Sequence, residues 1–71
     1  MRFLVIVEEG PTSFGAYVPD LPGCVAVGET REEALALIQE AIGIHLASLS
    51  TDGVAIPRQA SSSVFVDVEV A

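Results

Sequence analysis

Apolar positions along the chain fall into two short strand-like runs, a third brief one, a long run of helical period and a clean alternation near the end. Residues 2–8 (RFLVIVE) are rich in β-branched and aromatic side chains and predict a strand. Both faces of it are apolar, with Phe3, Val5 and Val7 against Leu4 and Ile6, the pattern of a central strand covered on two sides. Glu9, Gly10, Pro11 and Thr12 supply a turn, and residues 13–18 (SFGAYV) a second strand joined to the first as a hairpin. Phe14, Ala16 and Val18 share one face of that strand, and Tyr17 takes the other. A PDLPG turn, residues 19–23, leads into a short third strand at residues 24–28 (CVAVG).

A helix follows. Thr30 with Glu33 three residues on is the capping-box spacing, and Glu32 and Glu33 put negative charge in the first turn, where the helix dipole favours it. At 100° per residue, Ala34, Leu35, Ile38, Ala41, Ile42, His45, Leu46 and Leu49 form one apolar face. Ala36, Gln39, Glu40, Gly43 and Ala47 lie opposite, and Leu37 and Ile44 widen the apolar surface on a flank. The helix is expected to stop at residues 48–50, before Thr51, Asp52 and Gly53. Residues 54–63 read as an irregular connector around Pro57. Val64, Val66, Val68 and Val70 then alternate with Phe65, Asp67 and Glu69, the pattern of a half-buried strand with charges guarding its outer side.

The order βββαβ predicts an α+β fold: a mostly antiparallel sheet with one helix on one face. A meander of three strands and a right-handed crossover give sheet order 3-2-1-4, with the most apolar strand inside. The sheet face away from the helix, which carries Tyr17 with Leu4 and Ile6 or with their opposites on the first strand, then needs a partner.

Size sharpens that need. Seventy-one residues make one domain, 1–71, with 51% hydrophobic residues and a core at the small end of what folds alone. One cysteine rules out an internal disulfide and no Cys/His cluster points to a structural metal, so oligomerisation, as a homodimer or tetramer, is the expected supplement. Leu4, Ile6 and Tyr17 on the sheet, or Leu37 and Ile44 on the helix flank, are the expected contacts. The net charge of −7, with Arg2, Arg31 and Arg58 as the only Lys or Arg residues, leaves no basic face for phosphates, so direct nucleic-acid binding is not expected. An acidic surface suits a basic protein partner. The longest uninterrupted apolar run, residues 3–7, is far short of the ~20 residues of a membrane span and ends in two glutamates without a cleavage site, so a cytoplasmic, membrane-free protein is expected.

Candidate chemistry is sparse. His45 is the sole histidine and sits on the helix's apolar face; without a nucleophile and an orienting group beside it, it reads as a core or interface residue. Cys24 has apolar neighbours and no cation to lower its pKa, and reads as a small buried hydrophobe. The carboxylates flank turns or face solvent with no spacing that gathers them around a metal, and Asp20 reads as a turn-former bonding the local backbone. No catalytic residue, metal site or cofactor is expected.

The string as a whole says more than its parts. YVPDLPGC, then GETREEAL, then IQEAIGIHLASL and a DG-x-x-IP tail closely resemble the HicB-like antitoxin domain over residues 3–70. The resemblance implies half of a ribonuclease-H-like fold without nuclease activity, and a partner in a small basic mRNA-cleaving toxin of the HicA type, which the domain neutralises by masking. The alternative is an oligomeric domain of the same kind with another binding or structural role. Pro19, Asp20, Leu21, Pro22, Gly23 and Cys24 are the expected partner contacts. Family members commonly add a C-terminal DNA-binding segment, and none is expected here after residue 70. A ribonuclease-H nuclease needs a metal-binding Asp in its first strand, where this chain has Phe3, Leu4, Val5, Ile6 and Val7, so an enzyme is not expected.

Overall fold

Three antiparallel strands and one helix account for the regular structure of the computed structural model, which describes residues 1–70. Strands β1 (Ile6–Glu9), β2 (Phe14–Tyr17) and β3 (Val25–Gly28) form a meander of order β1-β2-β3, and helix α1 (Arg31–Thr51) crosses one face. The β1–β2 turn closes on a hydrogen bond from the Gly10 amide to the Ser13 carbonyl, at 2.8 Å.

Local chemistry explains both ends of α1. The Thr30 backbone is extended, and its hydroxyl accepts from the Glu33 amide at 3.1 Å, satisfying one of the free donors of the first turn. The Glu33 carboxylate reaches the Glu29 amide at 3.4 Å, one residue earlier than a capping box has it. At the other end Gly53, at φ +71°, lets the chain turn left-handed: its amide donates to the Ser50 carbonyl and that of Val54 to Leu49, a Schellman closure. Every residue of the predicted apolar face is buried or half-buried, and every one opposite is exposed. By length and composition α1 is apolar enough to cross a membrane, which the count of uninterrupted apolar residues misses. Of that helix, Ala34 and Ile38 are buried against the sheet, and the rest is half-buried or exposed.

The core consists of Ala16, Val18, Leu21, Cys24, Ala34 and Ile38, with Phe3, Val5, Val7, Phe14, Ala26, Ala41, Ile42 and Leu46 packed around it. Small residues on β3 set the depth of the contact. Gly28 lies so close to the first turn of α1 that an added Cβ would stand 2.6 Å from the Ala34 nitrogen.

Two expectations are corrected. The last strand does not form: residues 64–70 lie outside any strand, and Val64, Phe65, Val66, Val68 and Val70 are all largely exposed. Four-strand order 3-2-1-4 therefore reduces to three strands, β1 is an edge rather than the centre, and a ribonuclease-H-like half-fold is not evident. The reason is that a strand needs a neighbour as well as a pattern. The second correction is that β1 begins at Ile6 rather than Arg2. Ile6 pairs with Tyr17, after which β2 leaves into the PDLPG loop, so residues 2–5 have no strand opposite them.

Candidate protein-binding site

Register places the outward side chains in two rows. Ile6, Tyr17 and Val25 stand side by side across the sheet, and Glu8, Gly15 and Val27 form the next row. The alternating positions Val7, Ala16 and Ala26, with Phe14 and Gly28 in the next row, supply the core side, so Ile6 and Tyr17 look away from the helix. Val25 and Val27 are 64% and 65% exposed. Between these rows Gly15, lacking a side chain, leaves the floor of a shallow groove of about 360 Å³, bounded by Glu8 and Glu9 at one end.

Register places Ile6 beside Tyr17 and sets Val25 next to them, with Val27 in the adjoining row, two residues that pattern reading missed; Leu4 precedes β1 and joins neither row. A four-residue V-A-V-G strand says nothing about which face is covered. The signal lay in the small residues: Gly28 must face the helix because α1 approaches too closely for any side chain there, and Ala26, two residues before, packs on the same side.

Ile44, 65% exposed, lines a second groove of about 340 Å³ between α1 and β3, together with Gly23, Cys24, Val25, Ala41 and His45. Leu37, 38% exposed, lies two turns earlier on the same flank. Val25 borders both grooves, so the two separately expected apolar surfaces are continuous around the β3 edge.

The PDLPGC loop divides in a way its composition does not announce. Leu21 is fully buried and Cys24 4% exposed, so both face the core and offer no side chain to a partner. Gly23, at φ +83°, permits the tight return in which the Cys24 amide donates to Leu21 and the Val18 amide to Cys24. Pro19, Pro22 and Gly23 are exposed. Asp20 bonds residues 40 and 41 positions away rather than its own turn. Its carboxylate accepts from the Ser61 amide at 3.1 Å, the Ser61 hydroxyl at 3.0 Å and the Ala60 amide at 3.2 Å. Beside it, Gln59 accepts from the Leu4 amide at 2.9 Å and donates to the Ser61 carbonyl. The segment after α1 is thereby fastened to residue 4 and to the PDLPG loop.

The Ser61 amide is the main reason the Asp20 carboxyl is held below its usual value; partial burial opposes it, and the Ser61 hydroxyl and Ala60 amide reinforce it. A lowered folded value means that the fastening is complete above about pH 3.8, the unfolded value, and is lost as pH falls through the lowered one. Asp20→Asn should remove the charge-assisted part of these bonds and leave the helix intact. Trypsin cleavage after exposed Arg58 is expected to accelerate about 3- to 10-fold with unchanged helical circular dichroism; equal rates would refute the fastening role.

Cys24 and His45 line one groove, but burial pushes the thiol up, toward the protonated form and away from what a nucleophile needs. Among the described residues no three His, Cys, Asp or Glu side chains stand together as metal ligands would. The chemistry the surface offers is apolar contact within an acidic surround.

Comparison with known proteins agrees with the sequence resemblance. The model of the HicB-like antitoxins of bacterial toxin–antitoxin systems matches residues 3–69. A UPF0150 protein of Helicobacter pylori is 38% identical over 71 residues, covering 100% of this chain and 97% of that one. A UPF0150 protein of Thermoplasma acidophilum is 36% identical over 67 residues, 93% of this chain and 97% of its own. An antitoxin HicB 2 of Photorhabdus laumondii is 43% identical over 42 residues, 59% of this chain and 30% of that longer protein. No solved structure matches the chain significantly.

Proposed function

Since the chain belongs to the HicB-like antitoxin family, we propose that it is a non-catalytic cytoplasmic binding protein that masks a small basic mRNA-cleaving toxin of the HicA type. The observation that carries this reading is an exposed apolar face, Tyr17, Val25 and Val27, set in a surface with net charge −7. Apolar contact supplies affinity, while the acidic surround draws in a basic partner and disfavours nucleic acid as a competing ligand.

The test is co-expression and calorimetry with the small basic protein encoded next to this one. Micromolar or tighter binding is expected, with rescue of growth from the toxin, and Val27→Asp should weaken binding about tenfold or more by placing a charge in the apolar contact. No binding at micromolar concentration would overturn the reading.

The extent of exposed apolar surface on the sheet, the helix flank and residues 64–70 also favours self-association, as a dimer or tetramer. If no toxin partner binds, self-assembly in another binding role becomes the better reading, and the identity of the adjacent gene separates the two.

A further inference from the structure

Residues 64–70 and strand β1 each lack what the other offers. In VFVDVEV, Val64, Val66, Val68 and Val70 are 72–92% exposed and Phe65 is fully so, which leaves a strand-patterned segment with its apolar side in water. Among the described residues, strand β1 pairs only with β2. In an antiparallel pair alternate residues aim their amide and carbonyl away from the partner, so β1 presents a row of backbone groups on its free side.

Among the described residues of one chain the two do not pair. Gln59 and Asp20 hold residues 59–61 beside Leu4 and the PDLPG loop, and the groove that residues 59–63 line runs along residues 2–5, short of β1 itself. Residues 64–70 then run on: the molecule measures 52 × 27 × 17 Å, with a radius of gyration of 14.4 Å. A compact domain of this length has a radius near 11 Å. A seven-residue strand spans about 23 Å, more than enough to cover the four residues of β1, Ile6–Glu9, in another molecule.

We infer that residues 64–70 of one copy add as a fourth strand to the free β1 edge of a second copy, and the reverse, in an exchanged dimer. A second copy is the fitting occupant because it provides both missing halves at once. Each free edge receives a strand, and the valines extend the layer that Phe3, Val5 and Val7 make under the helix. Asp67 and Glu69 fall on the opposite side, where water remains. The inference builds on the self-association proposed above and specifies how it occurs.

Hydrogen exchange of the full chain across a concentration series, with sedimentation in parallel, tests it. Protection of amides in residues 64–70 and on the free side of β1 should rise together as dimer forms. Val66→Pro removes a ladder donor in a segment that is largely exposed in the single chain. It should leave helical dichroism unchanged and weaken dimerisation about 100-fold, because twofold symmetry places the defect in both exchanged strands. A dimer whose residues 64–70 stay unprotected overturns the exchange and leaves self-association standing. A monomer with those residues free overturns both, and protection independent of concentration shows docking within one chain and overturns the exchange.

Discussion

Replacing Gly28 with alanine is expected to cost about 3 kcal/mol or more, at or beyond the upper end of ordinary overpacking. The new Cβ would stand 2.6 Å from the Ala34 nitrogen, 3.1 Å from its Cα and 3.1 Å from the Glu33 carbonyl carbon. All three are backbone atoms of the first turn of α1, so no side chain can rotate away and the helix must retreat as a body. Retreat disturbs the Thr30 cap and lifts Ala34 and Ile38 off the sheet. At roughly 4–8 °C per kcal/mol for a domain this small, the midpoint of thermal unfolding should fall by about 12 °C or more. Gly43→Ala is the matched control: it lies on the exposed side of α1, its added Cβ meets nothing within 4 Å, and a gain of about 0.5–1 kcal/mol is expected. Both must be compared at one protein concentration, because assembly makes the midpoint concentration-dependent. A Gly28→Ala midpoint within about 3 °C of the parent would contradict the close approach.

Leu21→Ala should be nearly as damaging, at about 2–5 kcal/mol. The whole domain, at roughly 0.05–0.15 kcal/mol per residue, has only about 4–11 kcal/mol to lose. Leu21 is fully enclosed by the core that also contains Val18, Cys24 and Ile38, and its truncation leaves a cavity that the loop's hydrogen bonds hold open. Denaturant unfolding should show a lower midpoint with an unchanged slope. A cost below about 0.5 kcal/mol, the usual figure for a surface position, would mean that the leucine is only a loop residue.

Composition alone calls PDLPG a turn, and a turn it is, yet Leu21 plugs the core and Asp20 fastens residues 60 and 61. Neither role has a local signal. Turn propensity arises within four residues, whereas these contacts depend on where the chain returns after α1. The edge position of β1 was hidden for a related reason. Two apolar faces fit a strand buried on both sides, and they fit equally well an edge strand whose second face awaits another molecule. Of the expected surface residues, Ile6 and Tyr17 share a face because side-chain direction has period two, a local rule. Val25 and Val27 joined them only through the depth at which α1 sits on Ala26 and Gly28.

The sequence by itself determined the family, the strand–strand–strand–helix order, the caps of α1 and the face that α1 buries. Each of these depends on neighbours within a few residues, or on one short string in fixed order. Tertiary structure decided which strand is the edge, which loop residues are core and where residues 64–70 go. Those outcomes turn on pairing partners and packing distances between segments tens of residues apart. VFVDVEV shows the division most plainly, since its alternation marks a strand while its neighbour is a matter of which backbone edge lies free to receive it.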